Sequence, residues 1–170
     1  MKNYLQLLKN ITTFIFDVDG VLTDGTVILL PDGEQVRTMN IKDGFAMQYA
    51  VSKGYRICII SKGKSEAVRK RMNLLGVKDV FLAMSDKIDT LEDYLISNDL
   101  KYEEILYMGD DLPDYECMKK AGIAVCPSDA AEEIKSISKY ISTKKGGKGC
   151  VREMIEQVLK VQEKWTLSGK

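Results

Sequence analysis

Phe14-Ile15-Phe16-Asp17-Val18-Asp19-Gly20-Val21-Leu22-Thr23-Asp24-Gly25 is an apolar run that ends abruptly in acids. Ile11 to Phe16 reads as a strand buried on both faces, since Phe14, Ile15 and Phe16 leave neither face polar. It delivers Asp17 and Asp19 at its C-terminal end, which in a parallel α/β sheet is the edge where ligands bind. Carboxylates at i and i+2 of an extended chain project to the same side, so these two can converge on one bound group. Taken alone, such a pair is explained as well by a turn or a solvated loop.

Outward from that stretch, short β-branched runs alternate with helical-period segments. Arg56–Ile60, Val80–Ala83, Glu104–Met108, Ile123–Val125 and the weaker Tyr140–Ile141 read as strands. Residues 44–53, 64–75, 87–98, 112–121 and 130–136 read as helices, with Gly54, Gly76 and Gly122 at C-cap positions. The βαβ rhythm predicts an α/β fold with a parallel sheet flanked by helices. Residues 25–41 interrupt it, because two strand-like runs meet at Pro31-Asp32-Gly33, the signature of an inserted β-hairpin. Residues 144–170 form a Gly-rich tail and an amphipathic helix over 149–164, with Thr166–Lys170 frayed at the end.

A chain of 170 residues is expected to form one domain, 1–170, burying roughly 70% of its unfolded surface. Lys plus Arg number 25 and Asp plus Glu number 25, so no long-range field recruits nucleic acid or an anionic membrane. Any anionic ligand must be held locally. The opening MKNYLQLLKNIT lacks the pattern of a signal peptide and no run reaches transmembrane length, which predicts a cytosolic protein. Cys58, Cys117, Cys126 and Cys150 are scattered without a CxxC pair and read as buried free thiols. The chain has no histidine, which excludes Ser-His-Asp and Cys-His machinery and histidine zinc sites. Catalysis must then run on carboxylates and lysine.

Later strand ends point the same way as the first. Ser61, followed by Lys62-Gly63-Lys64, offers a hydroxyl and free backbone N–H groups to a phosphate, although a plain N-cap serine fits equally well. Lys87 opens a helix, where a cation opposes the macrodipole. Met108-Gly109-Asp110-Asp111-Leu112-Pro113-Asp114 gathers three acids at a strand-to-helix turn; one of Asp111 and Asp114 is expected to cap the helix. Beside Asp17 and Asp19, such acids suit magnesium, which takes hard oxygen ligands.

The order DxDGVLTDG, Ser, Lys, GDDxxD resembles the haloacid dehalogenase superfamily of phosphotransferases. That resemblance implies a Rossmann-like sheet, Asp17 as a nucleophile forming an aspartyl-phosphate, and Asp19 as general acid and base. It also implies that Ser61 and Lys87 hold phosphoryl oxygens, and that Mg2+ is bound by Asp110, the Asp17 carboxylate and the Asp19 backbone carbonyl. At ~4 Å and an effective dielectric of ~20, a carboxylate and one phosphate charge repel by ~4 kcal/mol, so attack requires compensating cations.

The intervals between the motifs leave no room for a cap domain. The hairpin ending in Asn40-Ile41-Lys42-Asp43-Gly44 and the tail Gly146-Gly147-Lys148-Gly149-Cys150-Val151-Arg152-Glu153 are similar to those of the 3-deoxy-D-manno-octulosonate 8-phosphate phosphatases. This closer resemblance implies a capless homotetramer that hydrolyses a small-molecule sugar phosphate on the route to lipopolysaccharide. It sets Asp43 and Gly44 near the sugar, Arg69 and Arg71 as partners for its carboxylate, and the Gly-rich tail across a site. Both arginines also lie on a charge-rich helix, where solvation explains them. Ser61-Lys62 replaces the family's usual Thr-Gly, which leaves nine-carbon keto sugar phosphates open as substrates. A receiver-like phosphoacceptor domain is the rival from another class. It would carry its acceptor after the third strand, where this chain has Ala83-Met84-Ser85.

Overall fold

The computed structural model describes residues 4–166. In chain order its elements are α1 (Tyr4–Leu8), β1 (Thr13–Phe16), β2 (Ile28–Leu29), β3 (Gln35–Val36), α2 (Ile41–Ser52), β4 (Arg56–Ile60), α3 (Glu66–Leu74) and β5 (Asp79–Phe81). They continue with α4 (Lys87–Asn98), β6 (Ile105–Met108), α5 (Tyr115–Lys120), β7 (Ile123–Cys126), α6 (Glu132–Ile137), β8 (Tyr140–Ile141) and α7 (Cys150–Val161). Six strands pair in parallel in the order β5-β4-β1-β6-β7-β8, the doubly wound, Rossmann-like arrangement. The order reverses between β1 and β6, where Phe16 pairs with Met108. Asp17 and the Asp110 loop therefore leave the sheet side by side.

Burial follows from the alternation along the central strands. Phe14 and Phe16 of β1 face a core built with Met47 of α2, Met72 of α3 and Met154, Ile155 and Val158 of α7. Ile15 faces the other way, toward Leu91 and Tyr94 of α4, Met118 of α5 and Ile134 of α6. Both sheet faces are thus covered by helices, as a parallel sheet requires. The four cysteines are free and buried. No helix among the described residues is long and apolar enough to cross a membrane.

Several boundaries differ from the sequence reading, each for a local reason. The hairpin pairs only Ile28–Leu29 with Gln35–Val36, both strands exposed on both faces. Its return limb ends at Asn40, whose side chain accepts the Lys42 N–H at 2.8 Å and starts α2 three residues earlier than expected. Strand β5 stops at Phe81, because the Ala83 and Met84 N–H groups turn to the Gly63 and Ser61 carbonyls. The helix expected from Leu112 begins instead as a 3₁₀ turn over Leu112–Asp114 and becomes α-helical at Tyr115. Of the tail expected to fray, 167–170 lie outside the described residues.

Residues 144–149 are packed rather than extended. The Gly147 N–H donates to Val21 O at 2.9 Å and the Gly146 N–H to Asp129 Oδ1 at 2.9 Å. A Cβ at Gly146 would run into the Gly20 carbonyl, so only glycine lets the tail lie against the loop after β1. The tail thus packs against its own chain's loop after β1.

Asp43 fastens the start of α7. Its carboxylate accepts the Arg152 N–H at 2.8 Å and the Gly149 N–H at 3.2 Å, joining two helices distant in sequence at a dipole end that favours an anion. Asp43→Ala leaves those donors without their partner. We expect a loss of about 1–2 kcal/mol, read as a lower urea midpoint. An unchanged midpoint would show that this cap contributes nothing.

Candidate active site

The loop after β1 turns sharply. Its short helical turn, Val18–Leu22, is broken at Asp19 and at Gly20, whose φ is +89°. Glycine is needed there twice over, for the positive φ and because a Cβ would strike the Asp110 carboxylate. Thr23 closes the loop, its Oγ1 accepting the N–H groups of Gly20 and Gly25 at 3.2 Å each. The chain is thereby folded tightly enough to bring Asp17, Asp19 and Asp110 to one place.

A cavity of about 290 Å³ opens at this edge. Asp17, Asp19, Ser61, Lys87, Asp110, Asp111 and Asp114 all line it, together with Gly25, Lys62, Gly63 and Pro113. Lys87 is buried, and its ammonium lies 2.8 Å from Asp17 Oδ1 and 2.8 Å from Asp114 Oδ1. The Tyr107 hydroxyl also donates to Asp114 Oδ1 at 2.8 Å. Asp114 is therefore the post that aims Lys87 at Asp17. Asp111, on the exposed rim, accepts the Leu112 N–H at 2.8 Å and is the capping acid of the pair. Ser61 Oγ accepts the Gly63 N–H at 3.1 Å, which fixes the hydroxyl at the cavity wall.

The electrostatics favour a cation. Asp17, Asp110 and Asp114 present ligand oxygens within 4.8 Å of one another. Lys87 alone cannot balance three carboxylates. Burial first, then the Asp114 charge, pushes the Asp17 carboxyl up to about 7 against the pull of Lys87. Burial and then the Asp17 charge push Asp110 up to about 8. For Lys87, burial opposes the charge, but Asp114 and Asp17 outweigh it and the ammonium is held above its ordinary range. A cluster of hard oxygen donors with excess negative charge fits a magnesium-type ion.

The four residues expected near the sugar, Asp43, Gly44, Arg69 and Arg71, do not line this cavity. Asp43 is committed to α7, as described above, and Gly44 packs against α3, where a Cβ would come 2.8 Å from Arg71 Nη2. Arg69 donates from Nη1 to Val80 O at 2.6 Å and ties α3 to β5. Arg71 lines a cleft with Val36, Met39 and Ile41 that adjoins the larger cavity described below, the two sharing Gln35, Arg37 and Ser65. The sequence reading missed Arg37, which leaves the hairpin and forms a bidentate ion pair with Asp19, Nε to Oδ1 at 2.6 Å and Nη2 to Oδ2 at 3.1 Å. Nothing in its local sequence marks it; the signal is its position on an insertion that must fold back over the Asp19 loop. A second cavity of about 730 Å³ continues from the first, sharing Lys62 and Gly63, with Arg37, Lys64 and Lys70 among its walls.

The model of the haloacid dehalogenase-like hydrolases matches residues 77–154, which contain Lys87 and the Asp110–Asp114 turn. The 3-deoxy-D-manno-octulosonate 8-phosphate phosphatase KdsC of Yersinia pestis is 31% identical over 94% of this chain and 86% of that protein. Its counterpart in Escherichia coli K12 is 33% identical, over 92% of this chain and 83% of its own. The crystal structure of 3-deoxy-D-manno-octulosonate 8-phosphate phosphatase from Moraxella catarrhalis, in complex with magnesium ion, phosphate ion and KDO, is similar in fold. Its TM-score is 0.91 at 33% identity, over 94% of this chain and 91% of that one.

The crowded acids set a pH dependence. Carboxyls raised above their unfolded range, roughly 4, make the folded chain bind more protons than the unfolded chain, so stability falls as pH rises through that window. With no histidine in the chain to titrate there, the metal-free protein should melt at a lower temperature at about pH 8 than at about pH 5, and added Mg2+ should restore the loss. A chelated sample whose melting temperature stays flat or rises over that interval would contradict the crowding.

Proposed function

Because the chain belongs to the 3-deoxy-D-manno-octulosonate 8-phosphate phosphatase family, we propose that it performs that hydrolysis on a carboxylate at the end of β1. The enzyme is a magnesium-dependent phosphomonoester hydrolase that releases phosphate and the free sugar acid. The observation that carries the site assignment is the contact of buried Lys87 with both Asp17 and Asp114, at the one edge where the strand order reverses.

In this reading the Asp17 carboxylate attacks phosphorus, the bond from phosphorus to the sugar oxygen breaks, and Asp19 gives that oxygen a proton. Water then attacks phosphorus, the Asp17–phosphorus link breaks, and Asp19 takes the water's proton. Lys87 and the Ser61 hydroxyl hold the phosphoryl oxygens, while Asp114 and Tyr107 keep Lys87 in place. Asp17, Asp110 and the Asp19 backbone carbonyl would hold magnesium, which would supply positive charge where two anions otherwise repel. The adjoining cavity, with Lys62, Lys64 and Lys70 among its walls, suits the sugar acid's carboxylate.

We further propose a homotetramer working in the cytoplasm. Val27, Ile28, Leu29, Leu30 and Val36 are exposed on a two-stranded hairpin, an apolar edge that a second copy would cover. Four free, buried thiols suit a reducing compartment.

Asp17→Asn should lower turnover of 3-deoxy-D-manno-octulosonate 8-phosphate by at least about 10³-fold while circular dichroism stays unchanged. Retained turnover would refute the nucleophile. Among eight- and nine-carbon keto sugar phosphates, the eight-carbon ester should give the highest kcat/KM; preference for a nine-carbon ester would move the substrate assignment. Light scattering at micromolar concentration should give four times the chain mass, and a monomer would remove the tetramer.

A further inference from the structure

The hairpin returns one side chain to the site. Arg37 follows β3 directly, and its guanidinium takes both oxygens of Asp19 in the fork described above. The same group donates from Nη1 to Gln35 O at 3.0 Å and from Nη2 to Gln35 Oε1 at 3.3 Å, so the arginine is itself tethered. Its side chain is 10% exposed, whereas that of Asp19 is 39% exposed. The arginine is covered and the carboxylate is left open to the cavity. An ordinary exposed ion pair would hold little, because two long side chains lose freedom for a screened attraction. A short, bidentate and largely covered pair fixes both the plane and the direction of a carboxylate.

We propose that Arg37 is a positioning residue for the hydrolysis, holding the Asp19 carboxylate in the orientation in which it exchanges protons with the leaving oxygen and with water. The inference rests on the acid/base reading of Asp19 given above. Asp19 sits on a turn broken at its own position and followed by a positive-φ glycine, so its backbone neighbours do little to fix its side chain. No hydrogen bond to Asp19 from its own loop replaces the fork among the described contacts. Each carboxylate oxygen carries two lone-pair directions, so the fork leaves one on each oxygen free. That is enough for a water whose oxygen bonds to phosphorus as the Asp17 link breaks and whose proton passes to Asp19. Misplacing a catalytic group by ~1 Å can cost ~10²-fold in rate. Lysine would keep the charge at Arg37 but offer a point donor without the fork.

The test compares Arg37→Gln, Arg37→Lys, Asp19→Asn and the Arg37→Gln/Asp19→Asn double variant of the full chain. Each is assayed with Mg2+ and 3-deoxy-D-manno-octulosonate 8-phosphate, with kcat and KM read separately. Arg37→Gln should lower kcat by about 10- to 100-fold while KM changes by less than about threefold. Arg37→Lys should recover only part of the loss. In the Asp19→Asn background, Arg37→Gln should cost nothing further, because a residue acting through another has no effect once that other is gone. An equal loss in that background would overturn the inference and make Arg37 a structural residue of the hairpin. A raised KM with kcat intact would overturn it as well, making Arg37 a substrate-holding residue. Normal turnover by Asp19→Asn would instead remove the acid/base reading, and this inference with it, which separates the two failures.

Discussion

Three carboxylates converge within 4.8 Å at the mouth of a parallel sheet, and a single lysine stands among them. The rest of the architecture follows from keeping that arrangement in place. Without packing to hold them, Asp17, Asp110 and Asp114 would separate, since each buried like charge raises the free energy of the others. The parallel strands β1 and β6 prevent it by fixing two of the loops side by side. Tyr107, buried in β6, adds a hydroxyl to Asp114 where an unassisted buried carboxylate would be expensive. A polar network of this kind is favourable only when its members are satisfied, and no buried side-chain N or O among the described residues lacks a partner.

The loop carrying Asp19 and Gly20 is constrained from several directions by segments far apart in sequence. Gly146 and Gly147 lie against it, Thr23 closes it from within, and Arg37 reaches it from the hairpin. Asp43 anchors the helix that follows the tail, so α2 and α7 also bear on the loop's support. A capless enzyme lacks a domain that closes over its substrate, and here the hairpin brings one arginine onto the Asp19 carboxylate at the site's edge. The same insertion bears the exposed Ile28 and Leu29, so whatever packs on the hairpin's apolar face also bears on the position of Arg37.

Much of this was legible in the sequence because it is written in local terms. Strand runs such as Arg56–Ile60 and Tyr140–Ile141 were marked by their own composition, and the polar residues after β1, β4 and β6 by position. Ser61, Lys87 and the Asp110 turn could be collected because each follows a strand whose C-terminal edge is shared. What was not legible depends on pairs distant in the chain. Asp43, beside a glycine in a family-like stretch, looked like a sugar contact; its partners are N–H groups 106 and 109 positions away. Arg69 looked like one charge among many on its helix until β5 placed the Val80 carbonyl in its reach. Arg37 directly follows a strand of two exposed residues and is indistinguishable from a solvated charge until the hairpin folds back.

A chain without histidine must obtain two chemical behaviours from one kind of side chain. Asp17 and Asp19 are two residues apart, yet their surroundings differ in the ways that the proposed roles of nucleophile and proton carrier require. Asp17 is buried against Lys87, near other acids and within reach of a metal's charge, where proton exchange with bulk water is restricted. Asp19 is part-exposed and faces the cavity, held by a guanidinium that leaves lone pairs free on both oxygens. Paired carboxylates acquire distinct roles from environment rather than from identity. In this fold the surroundings differ in which cation each carboxylate meets: a lysine planted at the start of α4 for the first, an arginine carried in by the hairpin for the second.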